Sequence, residues 1–340
     1  MELSQAFRSE ERVAFGSCGH AGPPRRVCDI CKTMQYAHVA CSSECLRAHQ
    51  RTAHEASWPA DTATRAGSAQ QLRNRRSKDV WELFASHRER LMSLIPPGTE
   101  GGTLCVLGAG KCDDLDLARL ARQFARVHLV DLDGEAMERA RDRQPAAVRE
   151  VIELHPGLDL SGLLERLDAW GDEFPDDAAL HEAVSRAAHR VAGALGGPFN
   201  MTLSTCVLSQ LIVPFQNAWA APASTWCKLS AALTAVHAGV LARATAAGGA
   251  TSLVFDVLSS EDAPWLLELK KQTAEQLQVA VDSRLRPGKE VLEPDPSALL
   301  AHIRDSGIAT QSPAPHLTRP WLWDTGTALH LVYALSFRRS

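Results

Sequence analysis

The chain has 340 residues, of which 45% are hydrophobic and 22% are charged, and this composition excludes a disordered or collagen-like chain. No apolar run is long enough to cross a bilayer, and acids and arginines interrupt the N-terminal stretch where a secretion signal needs apolar residues, so we expect a cytoplasmic protein without a membrane segment. The formal net charge is −4, and residues 1–80 hold 12 lysines and arginines against 8 acids. This excess is too small to predict nucleic-acid binding.

Cysteines and histidines are concentrated near the N-terminus. Five of the nine cysteines fall between positions 18 and 45, with histidines mixed among them. In a chain without a secretion signal, this pattern favours metal binding over disulfides. Pairs of ligands two or three residues apart suit tetrahedral zinc, and eight candidates predict about two structural zinc ions. The candidates are Cys18, His20, Cys28, Cys31, Cys41, Cys45, His49 and His54, with His38 as an alternative to His20.

The segment CSSECLRAHQRTAH at positions 41–54 resembles the last part of the MYND and HIT zinc fingers, which carry a CSxxC pair and then a histidine-bearing helix. The resemblance implies a finger over residues 16–58 whose ligand pairs bind alternately. The implied ligand sets are Cys18, a partner, Cys41 and Cys45 for one zinc ion, and Cys28, Cys31, His49 and His54 for the other. This sequence departs from the family in its first pair, which is CxH rather than CxxC. The resemblance also implies that the finger binds a protein partner.

Residues 59–78 contain almost no large apolar residue and predict a linker to a larger domain at 79–340. Helical spacing predicts a first helix from about 79 to 95. The predicted strands then lie at 103–107, 127–130, 151–154, 199–203, 251–257 and 329–337, and the predicted helices at 115–124, 135–143, 224–246, 265–283 and 296–305. Strands that alternate with helices predict an α/β fold, a Rossmann-like, mostly parallel sheet with helices on both faces. Residues 320–326, rich in tryptophan, are predicted as a loop.

A glycine-containing loop, Gly108–Ala109–Gly110, follows the first predicted strand, and such loops bring the backbone close to a phosphate or nucleoside. Asp131 lies 21 residues after Gly110, at the end of the second predicted strand, where a carboxylate can accept both ribose hydroxyls. The loop continues with Asp113 and Asp114, whose charges would repel the pyrophosphate of a dinucleotide. A sulfonium and an ammonium tolerate such acids, so charge favours S-adenosylmethionine over a nicotinamide cofactor.

The chain from about 80 to 338 resembles the class I S-adenosylmethionine-dependent methyltransferases. VLGAGKCDD is similar to the family's first motif and LVDLD to its second, while LHPGLDLSG and NMTLSTCVLSQL resemble the segments around the third and fourth strands. The residues that the resemblance places at the cofactor are Gly108, Ala109, Gly110, Asp131, Leu132, Asp159, Leu160, Ser204 and Thr205. Asn200 stands where the family often carries aspartate.

Methyl transfer requires an acceptor lone pair held in line with the methyl carbon and protected from water, but no dedicated nucleophile. A general base assists a protonated acceptor, and His155 and His87 are both candidates. Trp321 and Trp323 are candidates for a substrate wall or for the core. The acceptor stays open among small molecules, peptides and proteins. The alternative function is a non-catalytic interaction protein that binds S-adenosylmethionine or has lost that ability.

Overall fold

A computed structural model describes residues 80–170, 174–218, 223–284, 294–310 and 312–340, and upstream of these residues 13–14, 21–22, 26–27, 39–40, 45, 48–49, 70–71 and 74. The upstream part contains two antiparallel pairs of two-residue strands. Val13–Ala14 pairs with Ala21–Gly22, and Arg26–Val27 pairs with Val39–Ala40. In the described part of the chain, every helix is too short or too polar to cross a membrane.

One eight-stranded sheet organises the larger part of the chain. Its strands are β1 (Thr103–Leu107), β2 (Arg126–Asp131), β3 (Ile152–Pro156), β4 (Phe199–Thr205), β5 (Thr245–Ser259), β6 (His316–Leu317), β7 (Trp321–Asp324) and β8 (Leu329–Arg338). The order is β6-β8-β5-β4-β1-β2-β3, and β7 also pairs with β8. The first five strands are parallel, and β8 is antiparallel to its three neighbours. The predicted Rossmann-like, mostly parallel sheet is therefore confirmed.

The helices connect and cover these strands. They are α1 (Ala85–Ser93), α2 (Leu117–Gln123), α3 (Gly134–Asp142), α4 (Ala146–Arg149), α5 (Leu164–Trp170), α6 (Asp177–Ala194), α7 (Leu208–Leu211), α8 (Val213–Ala218), α9 (Ala223–Ala244), α10 (Ala274–Arg284) and α11 (Pro296–Asp305), with a 3₁₀ helix at Pro264–Leu269. Four of them begin at an aspartate whose side chain accepts a backbone N–H of the first turn, namely Asp116, Asp133, Asp176 and Asp295. These caps explain why α2 begins two residues later than predicted: Asp116 is its N-cap.

Core residues lie on both faces of the sheet, so β1 is buried on both sides. Leu104 and Val106 pack with residues of α1, α2 and α3, whereas Cys105 and Leu107 pack with residues of α5, α6, α9, α10 and α11. Successive side chains of a strand point to opposite faces, so a strand covered on both faces must be apolar throughout, as TLCVL nearly is. The helices on both faces follow from this pattern.

The prediction of a loop around the C-terminal tryptophans was wrong. Trp321–Asp324 forms β7, which pairs with β8 from Trp321↔Val332 to Asp324↔Leu329. Gly326, at φ +82°, lies in the turn that joins the two strands. Its backbone N–H donates to the Asp324 carboxylate at 2.9 Å. The signal that sequence reasoning missed is therefore Asp-Thr-Gly as a hairpin turn between two apolar runs.

Candidate functional site

The strand order reverses between β1 and β4, and their carboxyl ends define the point where doubly wound sheets bind ligands. Leu107, the last residue of β1, pairs with Val130 of β2 and with Ser204 of β4. The loop after β1, the end of β2 and the end of β4 therefore meet at one edge. The predicted glycine loop and Asp131 both lie at this edge.

The backbone of the glycine loop is fixed by its neighbours. Gly108 has φ +79°, and a Cβ there would lie 2.9 Å from the Val207 Cβ and 3.2 Å from the Thr205 carbonyl oxygen. The N–H groups of Gly108 and Ala109 both donate to the Val130 carbonyl, at 2.9 and 3.1 Å. Glycine is required at position 108 both for its backbone angle and for this close approach.

Asp131 closes the loop from the end of β2. One carboxylate oxygen accepts the N–H of Gly110 at 2.9 Å, and the other accepts the N–H of Asp133 at 2.8 Å. Each oxygen keeps a second lone pair, so the carboxylate retains room for two further donors. Burial raises the pKa of Asp131 to about 6, although the two backbone hydrogen bonds oppose the rise. A ligand that donates hydroxyl groups would favour the charged carboxylate.

The two acids after the loop differ in their surroundings. Asp113 forms ion pairs with Lys111 at 3.0 Å and with Arg143 at 3.7 Å, so its charge is largely compensated. Burial raises the pKa of Asp114 to about 7, and the nearby Asp113 and Asp131 carboxylates add to the rise. The expected repulsion of a pyrophosphate therefore depends on Asp114 and Asp131 rather than on Asp113.

A cleft opens beside Asp131, between the segment after β3 and the segment after β4. Its lining residues are Gln70, Asp131, Leu132, Leu158, Asp159, Leu160, Ser161, Leu164, Val207, Gln210, Leu211 and Pro214. Four of the predicted cofactor residues are among them, namely Asp131, Leu132, Asp159 and Leu160. The mostly apolar lining, with the carboxylates of Asp131 and Asp159, suits a nucleoside, whose base is flat and whose ribose carries hydroxyls.

Asp159 lines this cleft, but its carboxylate is engaged within its own segment. One oxygen accepts both the N–H and the hydroxyl of Ser161, at 2.8 and 2.6 Å, and the other accepts the N–H of Leu164 at 2.9 Å. These bonds hold the start of α5. Asp159 thus caps the start of this helix, and its proposed role at the cofactor stays a prediction.

Ser204 and Thr205 lie at the end of β4 with buried side chains. The hydroxyl of Thr205 donates to the Gly108 carbonyl at 2.9 Å, which ties β4 to the glycine loop. The hydroxyl of Ser204 lies 2.8 Å from Nε2 of His237 in α9, so this side chain points into the helical layer. Asn200 lies at the opposite end of β4, where its side-chain oxygen accepts the Thr103 N–H at 2.8 Å. It belongs to the amino edge of the sheet, away from the cleft.

Sequence analysis did not predict a polar cluster of Ser209, Asp256 and His330. Asp256 of β5 accepts a hydrogen bond from the Ser209 hydroxyl at 2.8 Å, and its other oxygen lies 3.5 Å from Nδ1 of His330 in β8. The side chains of His330 and Asp256 are 24% and 15% exposed, so solvent reaches both. Ser209 lies in the sequence between Val207 and Gln210, which line the cleft, so its hydrogen bond links Asp256 to the segment that borders the cleft. The signal in the sequence was Asp256 itself, a carboxylate within the mostly apolar predicted strand at 251–257.

The two predicted candidate bases occupy different surroundings. His87 is buried, accepts the Trp321 indole N–H at its Nδ1 at 3.0 Å, and stacks on Trp323 at 4.4 Å between ring centroids. Burial lowers its pKa to about 3, so His87 is neutral and a weak base near pH 7. His155 lies on β3, beside His128 of β2. Nδ1 of His330, by contrast, lies 3.5 Å from the Asp256 carboxylate, and the His330 side chain is 24% exposed.

Of the eight predicted zinc ligands, Cys45 and His49 belong to the described residues. Both have helical backbone and buried side chains, four positions apart. The zinc finger itself stays a prediction. The other six, Cys18, His20, Cys28, Cys31, Cys41 and His54, lie outside the described residues, as does His38.

We expect the purified protein to contain about two zinc ions in residues 18–54. The double variant Cys41→Ser, Cys45→Ser removes two thiolates from one proposed site and should lower the zinc content by about one ion. Elemental analysis of freshly purified protein measures this directly. An unchanged zinc content in the double variant would contradict the assignment. One ion instead of two in the wild type would mean that the set with Cys18 and His20 is wrongly assigned.

Two residues of the predicted linker contact the part of the chain that follows it. Gln70 lines it, and the Asn74 side-chain amide donates to the Asp133 carboxylate at 2.7 Å. Asp133 is fully buried, and its other oxygen caps α3 through the Ala136 N–H. Gln70 and Asn74 therefore contact residues of the 80–340 part of the chain, a contact that the linker interpretation did not include.

We expect a chain that begins at Ser77 to fold, but to be less stable than one that begins at residue 65. Removing Asn74 deletes a hydrogen bond to a buried carboxylate, worth about 1.5 to 3 kcal/mol. Thermal melts and S-adenosylhomocysteine titrations of the two chains measure stability and affinity. Equal stability and affinity would show that Gln70 and Asn74 contribute nothing. Aggregation of both would show that the upstream finger packs on the larger domain.

No protein-family model and no curated protein matches the chain. Among solved structures, it is similar to an arsenic(III) S-adenosylmethionine methyltransferase from Chlamydomonas reinhardtii, at 17% identity over 77% of this chain and 74% of that one, with a TM-score of 0.35. It is also similar to an O-methyltransferase family protein from Burkholderia thailandensis, at 13% identity over 100% and 67% of the chains, with a TM-score of 0.38. A third similar structure, from Anabaena variabilis, is a S-adenosylmethionine-dependent methyltransferase at 14% identity over 77% and 86%, with a TM-score of 0.38.

Proposed function

We propose that this protein is a S-adenosylmethionine-dependent methyltransferase whose N-terminal zinc finger recruits a protein partner or part of the substrate. The observation that carries the proposal is the meeting of the Gly108–Gly110 loop with the partly buried Asp131 carboxylate at the reversal of strand order. The proposed cofactor-binding residues are those that the resemblance to the class I methyltransferases implies. The proposed location of the protein is the cytoplasm.

The buried acids support a cationic ligand at this edge. Asp131 and Asp114 have raised pKa values because burial penalises their charged forms. A ligand with a sulfonium and an ammonium compensates that penalty, whereas a pyrophosphate increases it. The space that a Cβ at Gly110 would occupy lies 4.0 Å from an Asp131 oxygen, so the loop leaves the carboxylate accessible on that side. The residues present therefore fit S-adenosylmethionine better than a dinucleotide.

When bound, S-adenosylmethionine supplies an activated methyl group on its sulfonium. The chain's own residues then bind and orient the reactants. Asp131 accepts the ribose hydroxyls, the apolar walls with Leu132 and Leu160 enclose the base, and Thr205 keeps the glycine loop in place. His330 accepts the proton that an acceptor hydroxyl or amine loses, through its Nε2, and the Asp256 carboxylate, 3.5 Å from Nδ1, stabilises the resulting positive charge. Trp323, with its ring centroid 5.7 Å from that of His330, borders this acceptor side.

A second candidate function is an interaction protein that binds S-adenosylmethionine without methyl transfer. It would use the same loop and carboxylate but would not need the Asp256–His330 pair. The presence of that pair beside the cleft favours the enzyme.

The test is a methylation assay with the full-length protein, cell extract and S-adenosylmethionine labelled in its methyl group, run in parallel with calorimetric binding. Label transfer to an extract component that is absent with Asp131→Ala supports the enzyme. Binding without transfer supports the interaction protein. Failure of the wild type to bind S-adenosylmethionine or S-adenosylhomocysteine contradicts both.

A further inference from the structure

A second group of metal-ligating side chains lies on β2 and β3, away from the N-terminal cysteines. His128 of β2 pairs in register with Glu153 of β3, and Val130 pairs with His155. Because alternate residues of a strand share a face, His128, Glu153 and His155 project from one face of two neighbouring strands. Their positions are set by the backbone hydrogen bonds of a parallel ladder, so the three side chains meet without any contribution from a mobile loop.

The separations of the ligand atoms match a shared cation. Nδ1 of His128 lies 3.0 Å from Nε2 of His155. The Glu153 carboxylate lies 3.7 Å from the first nitrogen and 4.0 Å from the second. Two ligand atoms that are each about 2.1 Å from a zinc ion, at the tetrahedral angle, lie about 3.4 Å apart. Small side-chain rotations would bring all three atoms to that distance, and among the described residues these three form the one such group.

We propose that His128, Glu153 and His155 form a binding site for a divalent first-row transition-metal ion, with zinc as its main occupant. Two imidazoles and one carboxylate are a common ligand set for such ions, which complete their coordination with water. The side chains of the histidines are 13% and 19% exposed and that of Glu153 is 56% exposed, so an ion can enter from solvent on the glutamate side. A bound ion would join β2 to the edge strand β3.

The alternative is a hydrogen bond between the two imidazoles, with one ring donating to the other and Glu153 in solvent. That arrangement requires no metal, so a substitution of Glu153 would then leave the metal content of the protein unchanged. The positive charge of Arg126 near His128 disfavours a bound cation, and the negative charge of Glu153 compensates for it. The two interpretations therefore differ in the role of the carboxylate.

The test uses the full-length protein, loaded with excess zinc chloride, desalted and analysed for bound zinc. The wild type should hold one more zinc ion than either Glu153→Ala or His155→Gln, whatever the content of the N-terminal finger. Matched controls are Glu150→Ala, an exposed glutamate just before β3, and His181→Gln, an exposed histidine on α6. Both controls should keep the wild-type zinc content.

Cobalt(II) titration gives an independent readout. Thiolate ligands of the finger produce intense charge-transfer absorption, whereas a site of two histidines and a glutamate gives only weak d–d bands, so the two sites are distinguished in one protein. We expect the weak-band component to disappear in Glu153→Ala and the thiolate component to remain. Equal zinc content and equal cobalt spectra in wild type, Glu153→Ala and control would overturn the proposal. If His155→Gln fails to fold, Glu153→Ala decides the question, because its exposed side chain contributes little to the core.

Discussion

Asp131→Ala is expected to weaken binding of S-adenosylmethionine and S-adenosylhomocysteine by tens to thousands of fold. The substitution removes the proposed acceptor for the ribose hydroxyls, and each charge-assisted hydrogen bond is worth about 1.5 to 3 kcal/mol. It also releases the N–H groups of Gly110 and Asp133, so the loop itself loses its anchor. Isothermal titration calorimetry with both ligands measures the loss. Wild-type affinity in a folded Asp131→Ala protein would remove the ribose assignment and the main support for the methyltransferase.

The same carboxylate predicts a pH dependence. Because burial raises the pKa of Asp131 to about 6, the free folded protein holds a proton there between about pH 4 and 6 that the unfolded chain has lost. Its contribution to the free energy of unfolding therefore falls as pH rises through that window. Ligand hydroxyls need the charged form, so affinity should be constant above pH 7 and fall below pH 6. Asp131→Asn should remove this dependence, and an unchanged pH profile would contradict the assignment.

Two other aspartates serve as controls for Asp131. Asp116 caps α2 through the Arg119 N–H at 2.8 Å and lies outside the cleft lining. Asp116→Ala should therefore cost about 1 kcal/mol of stability and leave affinity unchanged. Asp133→Ala removes a cap and the bond from Asn74, so its stability loss should be larger, about 2 kcal/mol. Asp116 is the cleaner control because Asn74 contributes to the cleft region.

His330→Gln is expected to lower the rate of methyl transfer by about 10² to 10⁴, the usual contribution of a positioned general base. Cofactor affinity should stay within about twofold of the wild type, since His330 is not among the residues that line the cleft. Asp256→Asn should lower the rate as well, because it keeps the contact with Ser209 but removes the charge that orients the His330 ring. Single-turnover label transfer to the acceptor found in extract separates the chemical step from binding.

Matched variants decide between a base and a structural role for His330. His302→Gln changes an exposed histidine of α11 and should leave the rate unchanged. A rate loss in His330→Gln that an external imidazole buffer partly restores would support proton transfer. Equal rates in wild type and His330→Gln would mean that the acceptor attacks without a base, and the acceptor class would then be one that carries no proton to lose.

The elements of the larger domain could be predicted because their signals are local. TLCVL is apolar throughout, as a strand buried on both faces must be, and aspartates mark the starts of α2, α3 and α11. Gly108 and Asp131 could also be predicted as neighbours. Both follow strands of a predicted parallel sheet, and parallel strands end at one edge. Local sequence periodicity, together with the rule that parallel strands end at one edge of a sheet, was sufficient to predict that Gly108 and Asp131 lie close together.

Pairing across the fold was decided only by the tertiary structure. Asp256 and His330 are 74 positions apart and meet because β8 returns antiparallel to β5, with a bulge between Leu331 and Val332 that no local pattern predicts. His128 and His155 meet because of one register between β2 and β3, and a shift by a single residue would place them on opposite faces. Asn74 donates a hydrogen bond to Asp133 from a segment with almost no large apolar residue, so hydrophobic patterning carried no signal for this contact.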